Sequence, residues 1–417
     1  MKEYDICILG AGIAGLYCAR ELSKRYPDSK ICILEKYKFI GGRVSTFRNA
    51  DLDISWEAGA GRIHKSHHMV LSLLKEYKLP VYPMTPGIEY RTPDTVEPVE
   101  FGRYLETVSG IKQLDNLDKT TVKKVLEQTL GKSRATELIY SYEYRSELDT
   151  LRADNALDLL ANEIGHQGGF YGVKGGFSSL IGALKDDIEA KGVEILRSYE
   201  VLTIDKDAKG STYRVILKDK SPVRASKVIV ALSRDAVAQM KCFQDLHILK
   251  QVIMRPLLRI YAVFPFDKNG KPWFQGIKKF ICNLPIRYII PIDATKGTMM
   301  ISYTDGKDAL YWMDRITRLG EGHVVDECIK QLRSLFPSIE IPDPTYSKSH
   351  AWQDGCSYWL PSSKVAGLYY SRVESKASLI PLPDSMPEVY MCGESWAAEQ
   401  CWVESALESA KQVLHII

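Results

Sequence analysis

The 417-residue sequence is short of several things, and each shortage removes a class of function. No apolar stretch reaches the roughly 20 residues that a membrane-spanning helix needs. The last helical segment is interrupted by Glu404, Glu408 and Lys411, so no membrane partner is expected. Neither sign of charge dominates: 55 Lys and Arg against 52 Asp and Glu leave a formal +3. With no block of basic residues, a nucleic-acid partner is not expected either. The nine cysteines form no CxxC and no zinc spacing, which predicts reduced, mostly buried thiols in a reducing compartment. Internal repeats and low-complexity linkers are missing. Met1-Lys2-Glu3 leads straight into an apolar strand, which predicts no cleaved leader and a soluble, cytoplasmic protein. The remainder, 45% hydrophobic and 26% charged, is ordinary for a globular chain of two or three domain-sized units.

What is present begins at the first strand. "YDICILG", Tyr4 to Gly10, is a nearly continuous apolar run, as a strand buried on both faces requires. A helical pattern follows, with Ile13, Leu16, Tyr17 and Leu22 on one side and Arg20, Lys24 and Arg25 on the other. "KICILEK", Lys30 to Lys36, is a second buried strand. A helix is predicted from near Ser66, short strands and loops over 85–113, and helices from Lys119 to about Ile164. Strands and one further helix fill 245–350, and a strand, a turn and a long helix end the chain. This order predicts that the two termini close one discontinuous domain.

Gly10-Ala11-Gly12-Ile13-Ala14-Gly15 is a GxGxxG run between that strand and that helix. The context makes it a dinucleotide-binding turn. Gly10 allows the tight turn, Gly12 lets the backbone approach a pyrophosphate, and Gly15 lets helix and strand pack closely. Free N–H groups at the helix start then hold the phosphates. Glu35 ends the second strand 20 residues after Gly15, where a carboxylate accepts ribose hydroxyls and repels a 2′-phosphate.

Six residues past Glu35 comes Gly41-Gly42-Arg43. This E…GGR arrangement resembles the flavin amine oxidase family, which includes monoamine oxidases, polyamine oxidases and L-amino-acid oxidases. Three more stretches are similar: "GVKGGFSSLIGAL" (172–184), "YEVLTI" (199–204) and "CGESW…CWVESALESA" (392–410). The resemblance spans nearly the whole chain and implies FAD as cofactor. It assigns cofactor contacts to Gly10, Gly12, Ile13, Ala14, Gly15, Glu35, Lys36, Gly42, Arg43, Gly59, Ala60, Gly61, Arg62, Val201, Gly393, Glu394, Trp402 and Val403. The implied fold is α/β, with a Rossmann-type, glutathione-reductase-like FAD domain (1–66, 168–236 and 355–417). An interleaved mixed-sheet substrate domain (67–113 and 237–354) and a helical insertion (114–167) complete it.

Within that family "SWEAGAGRIH", residues 55–64, looks most like the L-amino-acid oxidases. There the arginine, here Arg62, holds the substrate α-carboxylate. A planar guanidinium grips a carboxylate through two parallel hydrogen bonds. Tyr303 falls where a tyrosine hydroxyl shares the carboxylate, and Trp402 where an indole walls the flavin's substrate face. The implied reaction is oxidation of an amine C–N bond to an imine, with molecular oxygen as acceptor and an amine or amino acid as substrate. Other readings stay open. Arg62 pairing with a flavin phosphate or with Glu57 would leave an amine or polyamine oxidase without carboxylate recognition. Tyr303 as a strand tyrosine and Trp402 as core packing need no substrate.

Two departures from the pattern matter. Arg259 in "LLRIYAVF" stands where the family carries a lysine linked to oxidation chemistry. It is therefore a candidate catalytic residue beside Trp402, and also the argument for a flavoprotein with little turnover. Cys356 in "WQDGCSYW" resembles the cysteine that monoamine oxidases join covalently to flavin; a pocket-lining thiol is the alternative. Cys401 replaces a small glycine. His64, His67 and His68 flank a helix start without an acid or cysteine, which predicts a solvated helix end and no metal site.

Overall fold

The computed structural model describes residues 1–98, 106–107, 110–111, 114–164, 169–207, 210, 212–364 and 386–417. The expected domain boundaries at 113 and 168 lie outside the described residues. Two seven-stranded sheets organise the chain.

The first sheet grows from the apolar runs near the N-terminus. Ile31–Glu35 is buried along its whole length and lies parallel to Lys2–Leu9. Glu194–Arg197 joins its outer side. Lys220–Val230 flanks Lys2–Leu9 on the other side and carries Val389–Met391, both in parallel. Tyr213–Leu217 and Val201–Lys206 extend it in antiparallel fashion. Strands buried on both faces need helices above and below. Ile13–Arg25, Ser178–Ala190 and Val403–Leu414 supply one such layer, with Leu16, Leu22, Leu180, Leu184 and Leu407 in a common core. The first and last helices thus pack in one layer.

The second sheet runs Tyr346–Trp359, Val252–Val263, Thr298–Asp305, Tyr288–Asp293, Phe280–Ile281, Glu89–Arg91, Val96–Pro98. Only the Phe280–Ile281 and Glu89–Arg91 pair is parallel. Alternation along a strand sends neighbours to opposite faces. Leu258, Ile260 and Ala262 enter a core with Trp312, Val324 and Cys328 from the helices Gly306–Leu319 and Glu321–Leu335. Arg259 and Tyr261 therefore face the other way. Arg259 pairs in register with Tyr303, so both side chains stand on the face away from those helices.

Helices Val122–Leu130, Lys132–Tyr140, Arg145–Asp149 and Ala153–Ile164 form the expected helical stretch. Among the described residues no helix is long and apolar enough to cross a membrane.

Candidate active site

The GxGxxG turn has the conformation its glycines imply. Gly10 sits at φ +99°, in the region that favours glycine. A Cβ on Gly15 would lie 2.0 Å from the Gly10 carbonyl oxygen, so only glycine lets the helix approach the strand. A Cβ on Gly12 would meet nothing within 4 Å. The face of Gly12 is open, and the helix that starts at Ile13 and Ala14 has no side-chain cap. This is an open cradle of the kind a pyrophosphate fills. The second glycine turn closes over it: Gly41 N–H donates to the Ala11 carbonyl at 2.8 Å, and a Cβ on Gly42 would come 3.5 Å from the Gly12 Cα. Glu35 is buried at the end of its strand and accepts from the N–H groups of Ala11 (2.8 Å) and Tyr37 (2.9 Å). Lys36 pairs with Glu200 at 2.8 Å, and Val201 opens its strand beside that pair.

Arg43 reaches from the second turn to the closing motif. Its Nη1 lies 2.8 Å from Glu394 Oε2 and donates to the Gly355 carbonyl at 3.1 Å. The buried Glu394 also accepts from Ser357 N–H (3.1 Å), Ser357 Oγ (2.9 Å) and Cys401 N–H (2.8 Å). Gly393, at φ +125°, turns the chain into this position. The expectation of reduced thiols fails here. Cys356 and Cys401 are joined in a disulfide, with Cα atoms 5.2 Å apart; the other seven cysteines are free and mostly buried. Neither cysteine stands in a CxxC or any close spacing; the fold brings together two residues 45 apart. The Cys356 sulfur is thereby occupied, which removes it as a free pocket thiol and as a flavin attachment point. Cys401 holds φ +73°, the backbone of the glycine it replaces.

The stretch 57–61 is held by its backbone. Arg259 Nη1 donates to the carbonyls of Glu57 (3.0 Å) and Gly59. Tyr261 OH donates to the Glu57 carbonyl (2.8 Å), and Trp352 Nε1 to that of Ala58 (2.7 Å). Gly59 and Ala60 N–H groups donate to Ser45 and Arg43 carbonyls at 3.0 and 2.9 Å. A Cβ at Gly59 would collide with the Arg43 carbonyl, and one at Gly61 with the Glu57 side chain. The glycines are therefore what lets this segment lie between the two sheets. Glu57 itself spends its carboxylate on Phe177 N–H (2.7 Å) and Thr46 Oγ1 (2.8 Å).

Arg62 follows directly. Its guanidinium stands 5.2, 5.0 and 5.6 Å from the ring centres of Tyr144, Phe170 and Trp402. Tyr144 packs edge-on against Tyr303 at 5.5 Å, so Arg62 and Tyr303 flank one ring. Arg259 Nη2 donates to the Tyr303 hydroxyl at 3.1 Å. Trp402 is half-buried just before Val403, the first residue of the last helix, and rests on His67 (4.8 Å) and Phe170 (6.3 Å). The solvated helix end expected at the histidines is not observed. His64 and His67 are buried, and only His68 is exposed. Burial under Trp402, aided by the positive neighbours His64 and Arg62, lowers His67 to about 3.

Tyr144, Phe170, Glu143 and Lys279 carry no motif and escape sequence reasoning. Glu143 lies in the turn between two helices of the insertion, and Lys279 directly precedes Phe280. Burial pushes the Glu143 carboxyl above its ordinary range, against the pull of Arg62, Lys279 and Arg287. Burial and the Arg62 charge push Lys279 down to about 8, with Glu143 opposing.

Comparisons with known proteins place the chain in a family. The profile of the flavin containing amine oxidoreductases covers residues 13–413. An L-amino acid oxidase of Cerastes cerastes is 24% identical over 97% of this chain and 85% of its own. A shorter stretch of 118 residues, 28% of this chain, is 30% identical to an uncharacterized protein of Acanthamoeba polyphaga mimivirus and spans 22% of it. Among solved structures, a putrescine oxidase redesigned in its cofactor binding superposes with a TM-score of 0.78 at 15% identity, over 100% of this chain and 99% of its own. Profile, relatives and fold converge, and the chain belongs to the flavin-containing amine oxidoreductases, an FAD-dependent oxidoreductase.

Proposed function

We propose that the protein deaminates an L-amino acid oxidatively, with Arg62 and Tyr303 holding the carboxylate. The observation that supports this reading is the Arg62 guanidinium set among Tyr144, Phe170 and Trp402, with Tyr144 also packed against Tyr303. Glu57, the acid nearest in sequence, is engaged with Phe177 and Thr46 instead.

Bound FAD supplies the two-electron acceptor for the Cα–H bond, with oxygen as the proposed final acceptor. The rest falls to side chains. Arg62 grips the carboxylate by two parallel hydrogen bonds and fixes the direction of Cα. Tyr303 adds its hydroxyl, and Trp402 excludes water. The glycine turns at 10–15 and 41–42 with Arg43 and Glu394 hold the cofactor, and Glu35 takes a ribose. Arg259 is a positioning residue: it fixes the backbone that carries Arg62.

The test is anaerobic. The visible flavin band is followed after mixing with pooled L-amino acids and, separately, with pooled primary amines and polyamines. Bleaching by amino acids is expected, with Arg62→Ala reducing kcat/KM about 10–100-fold through loss of charged hydrogen bonds. Bleaching by amines alone, indifferent to Arg62→Ala, refutes the reading.

A further inference from the structure

The Cys356–Cys401 disulfide stands at a joint between two parts of the site. The carbonyl of Gly355, just before Cys356, accepts from Arg43 Nη1 at 3.1 Å. Cys401 N–H donates to Glu394 Oε1 at 2.8 Å, and Glu394 Oε2 holds the same Arg43 Nη1 at 2.8 Å. Arg43 directly follows the Gly41-Gly42 turn, which closes over Gly12. On the other side Cys401 runs straight into Trp402, whose ring stands 4.8 Å from that of His67 and 6.3 Å from that of Phe170. One residue therefore connects the turn over the pyrophosphate space with the aromatic wall.

Cys401 is also held out of its ordinary conformation. Its φ of +73° lies in the left-handed region, where a residue with a Cβ is strained. Two contacts keep it there, the bond to Cys356 and the hydrogen bond to Glu394. Its sulfur lies 3.4 Å from the Ser357 carbonyl, an acceptor that a thiol can use and a disulfide sulfur cannot. The dithiol form thus has a partner already in place. Cys401 is half-buried and Cys356 only 6% exposed, so a reagent from solution meets Cys401 first.

We infer that Cys356 and Cys401 form a redox switch on cofactor retention: the disulfide locks the Cys401 backbone and with it the Glu394–Arg43 clasp, and the dithiol form loosens FAD. The inference rests on the reading of Arg43 and Glu394 as cofactor holders, and not on the amino-acid reading of Arg62. The reductant is a dithiol. One of its sulfurs, as thiolate, attacks Cys401 Sγ; the S–S bond breaks, and Cys356 leaves as a thiolate that takes up a proton. The second sulfur of the reagent then displaces Cys401 from the mixed disulfide, and Cys401 takes up the other proton. The reagent loses two electrons and two protons and closes its own disulfide; the protein gains both. Freed from the bond, Cys401 relaxes out of the left-handed region, its N–H leaves Glu394, and Arg43 loses a fixed partner.

The test treats holoenzyme with dithiothreitol in steps. At each step the reagent is removed, thiols are counted under denaturing conditions, and FAD release on dilution is followed by the rise in flavin fluorescence. Release is expected to run about 10-fold faster once the count has risen from seven to nine. Cys356→Ser with Cys401→Ser is expected to release at the faster rate with or without dithiothreitol. Cys356→Ser with Cys401→Gly is expected to keep the slow rate, since glycine adopts φ +73° without strain. A rate that stays constant as nine thiols appear overturns the switch. So does a count that stays at seven while the holoenzyme is folded, or a Cys401→Gly protein that releases as fast as the Cys401→Ser one. Arg43→Ala separates the two readings: if it leaves release unchanged, the cofactor clasp fails and takes the switch with it.

Discussion

Two arginines at the site have different surroundings. Arg259 is surrounded by acceptors: two carbonyls and the Tyr303 hydroxyl use its fork. Arg62 stands near three aromatic rings, whose faces attract a cation. The sequence placed Arg259 on its strand as a candidate catalytic residue; its hold on the backbone of residues 57–59 is visible only in the fold. The histidines show the same thing at the same scale. His67 is lowered to about 3 and His350 to about 4, both chiefly by burial. The unfolded chain therefore binds protons that the folded one does not, from the ordinary histidine value near 6.5 downward. The stability these groups contribute is complete above about pH 6.5 and is lost as pH falls toward their folded values, each with a slope of up to about 1.4 kcal/mol per pH unit. Urea midpoints measured between about pH 7.5 and 5 are expected to fall more steeply for the wild type than for His67→Leu. Parallel slopes for the two proteins would contradict the burial of His67.

At the scale of elements, the βαβ unit offers a sharp contrast between two glycines of one motif. Gly15 is needed by the fold, since a Cβ there meets the Gly10 carbonyl. Gly12 is not, since its Cβ would meet open space and its backbone is extended, at φ −74°. Gly12→Ala is therefore expected to leave the apoprotein folded while weakening FAD at least about 10-fold, as a methyl enters the pyrophosphate space. Gly15→Ala is expected to lower apoprotein stability as well. Calorimetric melting of the two apoproteins with FAD titration by fluorescence checks both, and a Gly12→Ala protein that binds FAD normally would contradict the open cradle. This unit was legible because it is local: strand, turn, helix and acid lie within 35 residues and each leaves a pattern. The GG turn and the closing strand–turn–helix were legible for the same reason. Tyr144 and Phe170 were not, because they belong to unrelated elements and meet Arg62 only in three dimensions. The burial of His64 and His67 was hidden likewise, since Trp402 covers His67 from the far end of the chain.

At the scale of the whole molecule, the Cys356–Cys401 bond is a covalent link between the two seven-stranded sheets. Cys356 lies in Tyr346–Trp359, a strand of the second sheet, and Cys401 precedes Val403–Leu414, a helix packed on the first. Around it Glu394 bonds both Ser357 and Cys401, and Ser357 Oγ lies 2.7 Å from Ser395 Oγ. The bond closes a loop of 45 residues. In the chain-entropy account such a closure removes about 4 kcal/mol from the unfolded state's advantage. For a protein of this size that corresponds to roughly 4 °C in Tm. Native protein is expected to titrate seven thiols under denaturing, non-reducing conditions and nine after reduction. The reduced protein should melt a few degrees lower than the oxidised one. The double variant Cys356→Ser, Cys401→Ser should melt near the reduced protein and be indifferent to reductant, which separates this bond from any effect on the seven free thiols. Nine reactive thiols in the untreated protein would show that the two sheets are joined here by the Glu394 network alone.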